Sequence, residues 1–122
     1  MADRIYDLED RLICFSVEII KITEKLPKTY SAIHLANQLS RSGTAPALNY
    51  GEAQSAESRS DFIHKMKIAL KELRETNVSL KIMERLSWLE KDTVIKNIKE
   101  CNELTAIFIK SIQTAQQNKR LK

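Results

Sequence analysis

A chain of 122 residues is one domain, long enough to bury a single apolar core, and 43% apolar with 30% charged residues is a globular rather than a disordered balance. With two Gly and two Pro in the whole chain there are too few turn formers for a sheet protein, and a glycine-rich phosphate loop has nothing to be built from. No apolar run approaches the roughly 18 residues that span a bilayer, and the start Met1-Ala2-Asp3-Arg4 is polar, so a cytoplasmic location is expected with no membrane contact.

The first helix is predicted over Tyr6 to Lys25. Leu8, Leu12, Phe15, Ile19, Ile22 and Leu26 recur at steps of three and four, the spacing of one helical stripe. Ile5, Ile13, Val17 and Ile20 widen it. Asp7, Glu9 and Asp10 suit the positive end of the helix dipole, Lys21 and Lys25 suit the other, and Pro27 stops the run. Ser31 reads as the cap of a second helix carrying Ile33, Leu35, Leu39, Leu48 and Tyr50. Pro46 interrupts that pattern, and one long helix kinked there is favoured over two short ones. Ala45, Ala47, Gly51, Ala53 and Ala56 form a small-residue face that a neighbouring helix can approach.

Ser60 reads as the third cap. Phe62, Met66, Ala69, Leu70, Leu73, Thr76, Leu80 and Met83 follow as a near-heptad stripe. A second row, Ile63, Ile68, Val78 and Ile82, lies off it and suggests either a wide core or a surface for self-association. Leu86-Ser87-Trp88-Leu89 forms the next connection, with Trp88 folding over the bundle end. The fourth helix is predicted from Lys91 to about Gln116, and the basic tail 117–122 is expected to fray. Short connections imply antiparallel neighbours. The expected architecture is an all-α, up-down-up-down four-helix bundle, one domain over 1–122.

Signatures of catalysis are thin. His34 and His64 are the only imidazoles, and neither has a nucleophile or acid at helical spacing. A carboxylate metal centre in a bundle needs paired Glu-x-x-His motifs. Asp61-Phe62-Ile63-His64 is the nearest match and stands alone, so no catalytic residue, metal, cofactor or small-molecule substrate is expected. Cys14 and Cys101 have no metal or disulfide spacing and read as two buried, reduced thiols.

Charge is unevenly spread. Residues 1–59 carry 7 Lys/Arg against 8 Asp/Glu, residues 60–122 carry 13 against 8, for a net +4 overall. The basic half supplies candidate phosphate contacts at Arg59, Lys67, Lys71, Arg74, Lys110, Lys119, Arg120 and Lys122, of which Lys67, Lys71 and Arg74 share one helical face. Sparse aromatic residues among them argue against stacking on single strands. Candidate oligomer contacts are the polar Asn49, Glu52, Lys65 and Glu72 and the apolar Ile63, Ile68 and Val78. Glu72 and Glu75 are spaced to pair with Lys65 and Lys71 along the third helix.

The segment Leu39-Ser40-Arg41-Ser42-Gly43-Thr44-Ala45-Pro46-Ala47-Leu48-Asn49-Tyr50-Gly51-Glu52-Ala53, with Ser60-Asp61-Phe62-Ile63-His64-Lys65-Met66-Lys67-Ile68-Ala69-Leu70-Lys71-Glu72, resembles the four-helix-bundle proteins named for the 23S rRNA intervening sequences that encode some members. The likeness covers nearly the whole chain. It departs where Asn77-Val78-Ser79 replaces the aromatic pair usual after the third-helix Glu-Thr. The resemblance implies a bacterial protein without catalytic activity and a homo-oligomer, a pentamer favoured. Combined with the basic half, it points to binding of structured RNA or DNA. The alternative is a protein–protein scaffold with no nucleic-acid role.

Overall fold

The computed structural model describes residues 7–121, with side chains to Asn118. Four helices make up the described chain: α1 (Leu8–Glu24), α2 (Tyr30–Gln54), α3 (Arg59–Arg85) and α4 (Lys91–Leu121). A five-residue connection reaches at most about 18 Å. The 25-residue α2 is roughly 38 Å long, so each helix must return along its predecessor. Residue pairs agree: Ser42 meets Thr76 while Glu52 meets Lys65, and Arg11 meets Glu100 while Glu18 meets Lys96. Each helix packs on two neighbours, α1 on α2, α2 on α3, α3 on α4 and α4 back on α1. The bundle is up-down-up-down, and the α1–α2 pair stands opposite the α3–α4 pair.

The helix starts follow side-chain caps. Asp7 Oδ1 accepts from the Asp10 amide at 3.1 Å, Thr29 Oγ1 from Ala32 at 3.3 Å and Ser58 Oγ from Asp61 at 3.0 Å. Thr29 and Ser58 cap α2 and α3 two residues ahead of the expected Ser31 and Ser60. Both have the extended backbone that a cap needs (ψ 164° and 163°), and Ser58 has an acid three residues on. α4 continues to Leu121, past the end expected at Gln116, and the fraying expected of 117–122 falls largely on residues whose side chains are outside those described.

α2 is one helix through Pro46, which is buried. Proline removes one amide donor and crowds the carbonyl four residues back, at about 3 kcal/mol in an ordinary helix interior. One residue beyond the Ser42 carbonyl that Pro46 crowds, α1 touches the α2 backbone: the Ser16 hydroxyl lies 2.9 Å from its own Leu12 carbonyl and 3.2 Å from the carbonyl of Gly43, so it can donate to either. The interior face of α2 is mostly small, with Ala32, Ser42, Gly43 and Ala53 buried beside Leu39. The close approach to α1 is at Gly43, which lies outside the expected small-residue face of Ala45, Ala47, Gly51, Ala53 and Ala56. A Cβ at Gly43 would stand 2.5 Å from Ile19 Cγ2 and 2.9 Å from Ile19 Cβ, whereas one at Gly51 would meet nothing within 4 Å.

On α3 the buried stripe is Ile63, Met66, Ala69, Leu73, Thr76, Leu80 and Met83. Ile63 therefore joins the core, and Phe62 and Leu70 pack at its margin. Thr76, which the apolar spacing placed in the core, brings a hydroxyl there. Its Oγ1 donates to Ser42 Oγ at 2.9 Å, and Ser42 can pass its own proton to the Leu39 carbonyl. No buried side-chain polar atom among the described residues lacks a partner, so this pair fixes α2–α3 register without leaving an unsatisfied group. α3 ends in a Schellman turn: the Trp88 amide donates to Met83 O at 3.0 Å and the Ser87 amide to Glu84 O at 2.9 Å. Ser87 takes φ 62° there. Trp88 then packs on the core, as expected.

Two comparisons test this packing. Gly43→Ala should lower stability by about 1–3 kcal/mol through overpacking against Ile19, while Gly51→Ala should raise it by about 1 kcal/mol through helix propensity. Urea titration followed by circular dichroism reads both, and equal effects would contradict the Gly43 approach. Ser87→Gly should also stabilise, by about 1 kcal/mol, because a left-handed residue suits glycine. Its measure is a higher thermal midpoint than the parent chain.

Candidate nucleic-acid interface

A surface depression follows the outer face of α3. It encloses about 720 Å³ and is lined on α3 by Lys67, Leu70, Lys71, Arg74, Glu75, Val78 and Ser79, and on α2 by Gln38 and Arg41. Steps of four and three residues stack Lys67, Lys71 and Arg74 along the helix, so the three contacts expected on one face do share one groove. All three are exposed. Leu70 and Val78 give the floor an apolar component, and Val78 is 55% exposed.

Arg41 is the cation that sequence spacing did not reveal. Its guanidinium donates to Glu72 at 2.9 Å and to Glu75 at 3.1 Å, crossing from α2 to α3. The hydrogen bond to Glu75 and the charge of Glu72 hold it protonated above the usual arginine range. Glu72 and Glu75 are therefore not paired along α3 with Lys65 and Lys71. Lys65 instead reaches Glu52 of α2 at 2.7 Å, and that hydrogen bond raises its pKa. The spacing of Glu72 and Glu75 did signal ion pairing, expected with Lys65 and Lys71. A single sequence could not say that the cation comes from another helix. With Glu72 and Glu75 engaged by Arg41, the three outward cations of α3 face solvent with no acid partner of their own among the described residues.

The other expected contacts lie elsewhere. Arg59 lines a separate depression of about 600 Å³ with Phe62, Ser111, Thr114, Ala115 and Asn118, where α3 begins and α4 nears its end. Lys110 is exposed on α4 and belongs to neither depression. Lys119, Arg120 and Lys122 lie outside the residues whose side chains are described. Of the expected oligomer contacts, Asn49 bonds the Ala45 carbonyl of its own helix at 3.0 Å, and Glu52, Lys65 and Glu72 join α2 to α3 within one chain. Ile63 is only 8% exposed and serves the core, Ile68 is half-buried, and Val78 stays open to solvent.

Residues 7–110 match the family described as 23S rRNA-intervening sequence protein. The chain belongs to that family. A crystal structure of a protein with unknown function from the S23 ribosomal protein family of Bacteroides thetaiotaomicron is similar to this chain at 31% identity and a TM-score of 0.80. The likeness covers 85% of this chain and 96% of that one. No curated protein matches.

Among the described residues, no three His, Cys, Asp or Glu side chains gather in a group able to hold a metal ion. His34 and His64 are both exposed and stand apart from any nucleophile pairing. The two thiols differ, against the expectation that both are buried. Cys14 is exposed. Cys101 is buried, donates to the Leu73 carbonyl at 3.1 Å, and is pushed by desolvation from 9.0 up to about 11. The folded chain thus holds that proton more tightly than the unfolded chain. The resulting stability is complete below about pH 9 and is lost as pH rises through about 11. A thiol reagent at pH 8 should therefore label Cys14 rapidly and Cys101 only after denaturant is added. Two equally fast thiols would contradict the burial of Cys101.

Proposed function

We propose that this protein is a non-catalytic, homo-oligomeric bundle that binds structured RNA or DNA through phosphate contacts along the outer groove of α3. The observation that carries the reading is the convergence of Lys67, Lys71 and Arg74 on one groove with Arg41 held at its wall. Phosphates of a duplex or folded RNA are spaced regularly along a rod, and a straight row of flexible cations about one helical turn apart can follow them without reading bases. Three exposed cations in a row favour position over sequence, since no aromatic side chain lines the groove to stack a base.

Assembly is part of the reading. A net +4 on one chain is a modest field, and several copies held together would multiply it, with five favoured by the family resemblance. No described helix is long and apolar enough to cross a membrane. A second reading, a protein adaptor with no nucleic-acid role, is favoured by one observation: an apolar groove between α1 and α2.

Fluorescence polarisation of a labelled RNA hairpin and a DNA duplex, at several salt concentrations, tests the proposal. Binding should weaken steeply with salt, and replacing Lys67, Lys71 and Arg74 together by Gln should flatten the logarithmic salt slope by roughly 2–3. An affinity indifferent to salt, or no binding at low salt, defeats it. An assembled chain that ignores nucleic acid leaves the adaptor reading standing.

A further inference from the structure

Where α3 begins and α4 nears its end, the depression of about 600 Å³ has a mixed lining. Phe62 and Ala115 pack on the core and form its apolar part. Arg59 of α3 and Ser111, Thr114 and Asn118 of α4 form its polar part, and steps of three and four residues keep each helix's share on one face. Among the described residues, none of these four polar side chains has a hydrogen-bond or ion-pair partner. Elsewhere Ser16, Thr44, Thr76 and Thr105 each turn a hydroxyl back to the carbonyl four residues earlier, at 2.8 to 2.9 Å. Ser111 and Thr114 leave theirs open to the depression.

Arg59 is half-buried, as Arg11 is. Arg11 is held between Glu100 and Glu103, but no acid lines the depression beside Arg59. Glu57 and Asp61 flank Arg59 in the chain. Asp61 lies about 200° round α3 from it, and Glu57 precedes the helix. Lys110 stands one turn before Thr114 on α4 and adds an exposed cation near the rim. A partly desolvated guanidinium without a counter-charge favours an anion, and its planar fork suits a phosphate. A bare phosphate, however, would leave the Phe62 and Ala115 surface and most of the volume unfilled. A purely apolar ligand would leave Arg59 and three polar side chains unmatched.

We propose that this depression binds one unpaired nucleotide. The phosphate lies on Arg59 within reach of the Ser111 and Thr114 hydroxyls, and the base packs over Phe62. The Asn118 amide, which both donates and accepts, meets the base edge or the sugar. The volume falls within the roughly 300–1,000 Å³ typical of small-ligand sites. The nucleotide is either free or the unpaired end of a strand, since both present one phosphate beside one open base face. The site shares no residue with the basic groove of α3. It therefore goes beyond the phosphate contacts proposed there, and either can fail without the other.

Titration of the full, isotope-labelled chain with adenosine monophosphate, followed by NMR, tests the site, with adenosine and inorganic phosphate as partial probes. The amides of Arg59, Phe62, Ser111, Thr114 and Asn118 should shift together and saturate, the nucleotide binding on the order of 10-fold tighter than either partial probe. Arg59→Gln should bring the nucleotide down to the affinity of adenosine, and Phe62→Leu to that of phosphate. Thr114→Ala, at an exposed position, should weaken binding severalfold with the fold untouched, which guards against a loss of structure at Phe62. A nucleotide that moves none of these amides, or phosphate bound as tightly as the nucleotide, overturns the site. Two RNA duplexes, one blunt and one with a single-nucleotide overhang, separate the sources. An overhang preference on the order of 10-fold that Arg59→Gln abolishes makes a strand end the ligand, and nucleotide binding with no overhang preference makes it the free nucleotide. Nucleotide binding without any duplex binding leaves the site standing and defeats the α3 groove. Salt-dependent duplex binding without nucleotide binding does the reverse.

Discussion

Three consecutive residues of α2, Arg41, Ser42 and Gly43, join that helix to both neighbours. Helical geometry turns each successive side chain by about 100°. One therefore reaches the rim of α3, the next the buried face of α3, and the third the wall of α1. Arg41 binds Glu72 and Glu75, Ser42 accepts from Thr76, and Gly43 leaves room for Ile19. Because α2 has few large side chains inside, its neighbours can close on it, and Pro46 is accommodated in the same stretch. Both surface grooves are by-products of that joint. Arg41 walls the basic groove, and the close α1–α2 contact sets the width of the apolar one.

Much of this was legible in the order of residues. The stripe of α1 from Leu12 to Leu26 predicted which side chains are buried, because apolar periodicity records the one face a helix turns inward. Helix starts were less legible: Thr29 against Ser31, and Ser58 against Ser60, are both chemically sound caps, and the choice depends on where the backbone leaves extended geometry. Gly43 against Gly51 was not legible at all. Each is a glycine in a run of small residues, and only the position of Ile19 on another helix separates them.

The functional surface divides the same way. Lys67, Lys71 and Arg74 were recognisable as one face because they lie on one helix. Arg41 was not, since its partners are 31 and 34 residues away. For the same reason Cys14 was misjudged as buried: it sits among apolar neighbours in sequence, yet faces outward beside Asp10. Local spacing describes a helix face well. It is silent on which face another helix covers.

The four seams of the bundle are unequal, and the one between α1 and α4 is the thinnest. Arg11 spans it with two hydrogen bonds to Glu100 at 2.8 Å and a further contact to Glu103, and Lys96 stands 3.8 Å from Glu18. Every other seam joins helices adjacent along the chain and can zip from its connecting turn. This one joins the first helix to the last and must wait for the other three. It is the natural place for the closed bundle to unzip, so the last step of folding and the first loosening on warming should run along the same line, with Arg11 as its latch.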